Sequence, residues 1–303
     1  MTKTVVLEEQ GLRDGLQNLS ITVPTRAKLD YVERLVAAGL RRIQVASFVH
    51  PRLVPQMADA EAVCAGLTRH PGVTYSGLVL NERGVERGVA AGLDHLACSI
   101  SASDTHSRKN AGKNLAEARA AFRAMVARCR REGVRVRGGI QCAFGCRFEG
   151  AIGRAAVLDL VRHHLDQGVD ELALADSTGM ADPLHLEELI GEVLALAGDG
   201  VPVMLHLHNT ESKGLANVYA ALRAGVRYFD TAFGGLGGCP FIREASGNIA
   251  TEDTAHLLHQ MGFTTGVDIG GVAAVSRDMA ARLDEPLPGN LYRIWGRHDI
   301  RVV

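Results

Sequence analysis

The chain lacks a surplus of charge of either sign, its 33 Lys and Arg being matched by 34 Asp and Glu. That balance argues against a protein held to nucleic acid through a basic face or tail. No apolar run approaches the roughly 18 residues that a membrane-spanning helix needs. The start, MTKTVVLEEQ, has no charged-then-apolar leader and enters a strand-like pattern at once, so a cytoplasmic location is expected. Cysteine is scarce, with six residues in 303 (Cys64, Cys98, Cys129, Cys142, Cys146 and Cys239). So few argue against a disulfide-stapled scaffold and fit reduced thiols. Cys142-x3-Cys146 has no second Cys/His pair at zinc-site spacing, which weighs against a structural zinc. Low-complexity segments and linker-like breaks are missing too. No Gly-x-Gly-x-x-Gly follows the first strand-like run, as a dinucleotide-binding doubly wound sheet would normally show.

What is present is regular. Short aliphatic or β-branched runs recur at 4–9, 42–47, 74–80, 94–100, 135–144, 171–176, 201–208 and 227–233. Between them lie stretches with apolar residues at helical spacing, among them 26–40, 114–133, 155–168, 183–198 and 214–225. Several of these stretches end in Gly followed by Val or Leu, a helix C-cap leading into the next strand. Eight strands alternating with helices predict a single-domain α/β (β/α)8 barrel, with about 284–303 as a C-terminal extension that carries the only Trp. An open doubly wound sheet is the alternative.

In a (β/α)8 barrel the strand C-terminal ends build the active face. Two polar groups fall there, GLRDGLQN (11–18) after the first strand and His206-Leu207-His208 at the end of the seventh. Strand residues two apart project to the same side, so both imidazoles can face the lumen. Two nitrogens and the Asp14 carboxylate make a mixed N/O set suited to Mg, Mn or a similar divalent cation. The competing reading is that the histidines are ordinary core or surface residues. A third signal is GGLGGCPFIREASGN (234–248), dense in glycine, where the backbone must bend, approach a ligand closely or move.

RDGLQN, SFVHPRLVPQMAD (47–59), CAFGCRFEG (142–150), LADSTGM (174–180), HLHNT (206–210) and GGLGGCPFIREASGNIATED (234–253) resemble, in order, the motifs of 3-hydroxy-3-methylglutaryl-CoA lyase. That family belongs to the metal-dependent barrel lyases that include the isopropylmalate and homocitrate synthases, and the resemblance spans about residues 4–283. It implies cleavage of a 3-hydroxyacyl-CoA to acetyl-CoA and a keto acid. Asp14, His206, His208 and Asn248 would ligate the cation; Arg13 would stabilise the enolate oxygen, with His206 also catalytic. Cys239, on a glycine-rich lid, would move the proton. Outside that context Cys239 reads as a small buried hydrophobe. Gln17, Gln44, Ser47, Asp176 and Arg147 are the expected substrate contacts, the substrate an acyl-CoA and the assembly a homo-oligomer. An aldolase or condensing enzyme with a non-CoA substrate is the competing activity, and a catalytically dead paralogue the non-enzymatic one.

The chain also departs from that pattern. Gln44 stands where the family has Glu, and a neutral amide neither takes a proton nor adds charge beside the cation. Leu12 and Arg147 replace prolines, His50 replaces Ser, Asn209 replaces Asp, and Ile242, Arg243 and Glu244 replace small or neutral residues. Loss of one acid with gain of Arg147, His50 and Arg243 points to a more anionic substrate or to neutral drift.

Overall fold

The computed structural model describes residues 3–238 and 247–295. Eight parallel strands close on themselves in chain order: β1 (Val6–Glu9), β2 (Arg42–Ser47), β3 (Thr74–Val79), β4 (His95–Ser101), β5 (Arg135–Gln141), β6 (Glu171–Asp176), β7 (Val203–Leu207) and β8 (Tyr228–Thr231). The closing seam pairs Val6 with Tyr228 and Glu9 with Thr231. The expected (β/α)8 barrel is therefore present, and the open doubly wound sheet is excluded. Around it lie α1 (Thr25–Ala37), α2 (Ala60–Gly66), α3 (Glu82–Ala90), α4 (Asp104–Ala111) and α5 (Leu115–Arg131). The ring continues with α6 (Arg154–Asp166), α7 (Pro183–Ala197), α8 (Gly214–Ala224), α9 (Thr251–Gln260) and α10 (Ile269–Leu283).

Local chemistry fixes the helix starts. Asn114 and Glu117 form a reciprocal capping box at α5, and the Asp182 carboxylate accepts from Leu184 and His185 ahead of α7. Four expected strands, β3, β5, β7 and β8, end early, two of them for visible reasons. β5 stops at Gln141 because Cys142 turns the chain at φ 53, and β7 stops at Leu207 because His208 pairs antiparallel with Asn248 instead.

The alternation of strand side chains divides the barrel. Leu7, Ile43, Leu96, Leu172, Leu205 and Phe229 are buried and apolar on the face toward the helices. The lumen is different. In its lower part Glu8, Arg42, Arg137 and Glu171 form an ion-pair network, with Arg42 2.7 Å from Glu8 and 2.6 Å from Glu171. Arg137 pairs with both acids and also reaches Asp230 on β8 at 3.1 Å. Higher up, Ala97, Ser99, Gly139, Ala173 and Ala175 leave the lumen open as the floor of a cleft of about 650 Å³. Gly139 has no room for more, since a Cβ there would stand 2.2 Å from the Ser99 hydroxyl.

The described part of the C-terminal extension packs back on the barrel. The Asp253 carboxylate accepts from the Asn290 and Leu291 amides, and the Gly289 amide donates to Gly234.

Candidate active site

The cleft opens at the strand C-terminal ends. Arg13 and Asp14 reach it on a single widened helical turn, Gly11–Gly15, which directly follows β1. His206 comes from β7 and His208 from the residue after it, and both line the floor. Asn248 arrives from a distant segment through a short antiparallel ladder. Its bridge to His208 is flanked by Asn209 N–H to Gly247 O (2.9 Å) and Ile249 N–H to Leu207 O (3.1 Å).

These groups converge. The Nε2 atoms of His206 and His208 are 3.0 Å apart and stand 3.8 and 3.6 Å from Asp14 Oδ2. Asp14, His206 and His208 are the one such cluster of potential ligands among the described residues. Adjacent ligands of an octahedral ion about 2.1 Å away stand about 3 Å apart, which is close to this spacing. Asn248 donates its amide N–H to Asp14 Oδ2 and Leu236 O, each at 2.9 Å, while its Oδ1 is buried without a hydrogen-bond partner among the described residues. Two imidazoles and a carboxylate, with the buried Asn248 oxygen free of hydrogen-bond partners among the described residues, make a donor set that fits a divalent metal.

The electrostatics agree with that reading. Burial alone would raise the Asp14 carboxyl, but Arg13, His208 and His206 overcome it and hold Asp14 well below the usual carboxylate range. His206 Nδ1 lies 3.2 Å from Asp230 Oδ2, and the buried Asp230 is itself kept ionised by Arg137 and His206. A carboxylate behind the imidazole selects the tautomer with Nδ1–H and leaves Nε2 free to ligate. Arg13 is held on three sides, by Gln44 Oε1 through Nε, by Gln10 Oε1 at 2.9 Å and by Asp14. Two of its five N–H groups remain for an incoming oxygen.

Of the expected substrate contacts, Gln17 and Gln44 line the cleft, but each also serves a neighbour. Gln17 donates to Asp14 Oδ1 at 2.9 Å, and Gln44 orients Arg13. Three others are not brought to the cleft wall. Ser47 is fully buried, and Asp176 ties off the following turn by accepting from the Met180 and Ala181 amides. Burial raises the Asp176 carboxyl to about 6. Arg147 pairs with Glu211 at 2.6 Å and does not line the cleft. His50 does line the mouth, whereas Cys239, Ile242, Arg243 and Glu244 lie outside the described residues. Cys142 and Cys146 are free and buried, and Cys146 donates to the Ser103 hydroxyl.

Gln10, Arg137 and Asp230 are the functional residues that the sequence reading misses. The sequence shows Asp230 only as an acid inside the β8 strand pattern; its register with His206 appears in the closed barrel.

At the start of the glycine stretch, Gly237 (φ 123) packs against Gly247, where a Cβ would meet the Gly237 backbone at 2.3 Å. A Cβ on Gly237 would in turn strike the Asn248 amide at 2.5 Å. Glycine is required at both positions for Asn248 to reach Asp14.

Comparison with known proteins places this architecture. The family model described as HMGL-like matches residues 4–279. The chain belongs to the HMGL-like family. It is 40% identical to the (R)-citramalyl-CoA lyase of Chloroflexus aurantiacus, the match covering 94% of this chain and 93% of the relative. It is 39% identical to the hydroxymethylglutaryl-CoA lyase of Pseudomonas mevalonii, with 93% of each covered. The structure of an HMG-CoA lyase from Acinetobacter baumannii in complex with coenzyme A and 3-methylmalate superposes with a TM-score of 0.94 at 38% identity, covering 99% of this chain and 98% of that one. The protein is a carbon–carbon lyase by family. No helix among the described residues is long and apolar enough to cross a membrane.

Proposed function

We propose that the protein cleaves a 3-hydroxyacyl-CoA, either 3-hydroxy-3-methylglutaryl-CoA or a close relative such as citramalyl-CoA, to acetyl-CoA and a keto acid. The convergence of Asp14, His206 and His208 beside Arg13, with Asn248 hydrogen-bonded to Asp14, carries this reading. Bound by Asp14, His206, His208 and Asn248, a divalent cation (Mg or Mn) supplies a Lewis acid that polarises the substrate hydroxyl and lowers its pKa.

The remaining chemistry falls to the chain's own groups. The hydroxyl proton leaves to water in the open cleft, because His206 is committed through Nε2 to the cation and through Nδ1–H to Asp230. The C–C bond then breaks, the hydroxyl-bearing carbon becomes a carbonyl, and the bonding pair moves into the thioester enolate. Arg13, fixed by Gln10, Gln44 and Asp14, offers its two spare N–H groups to the enolate oxygen without reorganising. A proton delivered to the enolate carbon completes acetyl-CoA, a role assigned to Cys239. Gln44 acts through Arg13, and Gln17 through Asp14.

The cleft's charge supports a CoA ester. Its lining acids, Asp14 and Asp230, sit at the floor, while His50, Arg108, Lys109 and Lys113 line the mouth. Cations at the rim suit the phosphates of a CoA tail that projects out of the cleft. The test is a panel of 3-hydroxyacyl-CoA thioesters, including 3-hydroxy-3-methylglutaryl-CoA and (R)-citramalyl-CoA, assayed with Mg or Mn for acetyl-CoA release. Turnover of at least one thioester, lost on chelation, is expected. A chain that binds metal but cleaves none of them overturns this reading in favour of an aldolase or condensing enzyme with another substrate, or of a catalytically dead paralogue.

A further inference from the structure

We propose that Glu9 is a positioning residue of the active site, a buried carboxylate that ties the turn carrying Arg13 and Asp14 to both ends of the glycine-rich segment. Glu9 has no solvent exposure and contacts neither the cleft nor any of the proposed ligands. Its Oε1 accepts from two backbone amides, Gly11 at 2.6 Å and Phe233 at 3.0 Å. Its Oε2 accepts from the Thr251 hydroxyl at 2.7 Å. These three donors belong to three separate segments. Gly11 opens the turn that presents Arg13 and Asp14, Phe233 opens the turn leading into Leu236 and Gly237, and Thr251 starts α9 three residues beyond Asn248.

Glu9 therefore touches three segments whose relative placement bears on whether Asn248 meets Asp14 and Leu236, the ladder to Leu207 and His208 being the other support. A hydrophobic residue of similar size would fill the volume and leave two buried amides unpaired, freeing the segments to shift separately. A second buried acid extends the arrangement. Glu252 on α9 accepts from the Gly234 amide at 3.0 Å and from the Ser276 hydroxyl at 2.8 Å. Around Glu9, α9 supplies Glu252 and Thr251, β8 supplies Thr231 behind Thr251 at 2.8 Å, and the remaining partners are backbone amides. Burial, with Glu252 adding to it, raises the Glu9 carboxyl to about 7.

The test compares Glu9→Leu, Glu9→Gln and Thr251→Val by amide hydrogen exchange, Mn²⁺ affinity and steady-state turnover. In Glu9→Leu, exchange should rise at least about 10-fold in peptides containing Gly11 and Phe233, with the rest of the barrel unchanged. Mn²⁺ affinity should fall about 10-fold or more, and kcat should fall with little change in KM. Glu9→Gln keeps one oxygen for both amides and should recover most of that loss. Thr251→Val should loosen only the peptide that follows Gly247 and weaken Mn²⁺ about threefold or more. A folded Glu9→Leu with Mn²⁺ affinity within twofold of wild type overturns the proposal, as does exchange that rises uniformly across the barrel. If Glu9→Leu does not fold, an unchanged Thr251→Val overturns it. Only the turnover arm rests on the proposed lyase activity. A wild type that cleaves no thioester defeats that activity, while exchange and Mn²⁺ binding still decide the role of Glu9.

Discussion

Replacing Asp230 with Asn turns one carboxylate oxygen into an amide NH₂ without changing the side chain's shape. Asp230 now accepts from His206 Nδ1 at 3.2 Å and from Arg137 at 3.1 Å. An amide satisfies only one of the two. If its oxygen faces Arg137, its NH₂ faces His206 Nδ1 and favours the tautomer with the proton on Nε2, the nitrogen aimed at His208 and Asp14. If its oxygen faces His206, its NH₂ meets the guanidinium donor to donor. Loss of a carboxylate behind a ligating imidazole typically costs 10–100-fold in metal affinity, or about 1.4–2.7 kcal/mol. Stability should fall much less. The lumen network holds Glu8, Glu171 and Asp230 against Arg42 and Arg137, so Asp230→Asn leaves two acids for two guanidinium groups. A cost of roughly 1–3 kcal/mol follows, against roughly 3–5 kcal/mol for Arg137→Met, which removes the one guanidinium that joins Glu8, Glu171 and Asp230. The assay is Mn²⁺ titration of the purified variant by calorimetry, with thermal unfolding of the same sample. A folded Asp230→Asn protein that binds Mn²⁺ within twofold of wild type would refute the assignment of His206 as a ligand oriented by Asp230.

Two further outcomes are expected. Gln44→Glu places a charge between Arg13 and the floor, and should raise turnover of 3-hydroxy-3-methylglutaryl-CoA about 10-fold or more while slowing the thioester the wild type prefers; fast wild-type cleavage of 3-hydroxy-3-methylglutaryl-CoA, unimproved by the change, contradicts a site re-specialised around Gln44. Burial lifts Glu252 from 4.5 to about 7, so its contribution to stability is complete below about pH 4.5 and is lost as pH rises through 7. Roughly 1 kcal/mol of that loss falls between pH 6 and 8. Glu252→Gln removes this component, so Tm of the variant relative to wild type should climb by a few degrees over that interval; a constant difference contradicts it.

The barrel was legible because its periodicities are local. The runs at 42–47 and 171–176 coincide with β2 and β6, and His206 and His208 point one way because strand geometry makes them. What escaped depends on closure. Glu8 of β1 meets Arg137 of β5 across the lumen, 129 residues away, and nothing near either residue announces the other. Asp230 and Glu9 read as ordinary strand acids until their neighbours are known. Arg147 was expected at the cleft on motif position alone, but it lies beyond a turn at Cys142 whose direction no hydrophobic pattern encodes. The meeting of Asn248 with Asp14 depends on the contact between Gly237 and Gly247, which spacing does not specify.

The ionic lumen has a consequence for assembly. Apolar barrel layers tolerate small errors of strand alignment, because one aliphatic side chain replaces another at little cost. Here Glu8 faces the lumen toward Arg137, while its neighbour Glu9 faces Gly11, Phe233 and Thr251. Sliding β1 by one residue against β2 and β8 would exchange the two faces and take from Arg42 and Arg137 the Glu8 carboxylate they share, leaving Glu171 and Asp230 to pair both guanidinium groups. The charges thus act as a vernier for the shear of the barrel. They let the protein keep an almost vacant upper lumen, because alignment no longer depends on side chains packed where the substrate has to enter.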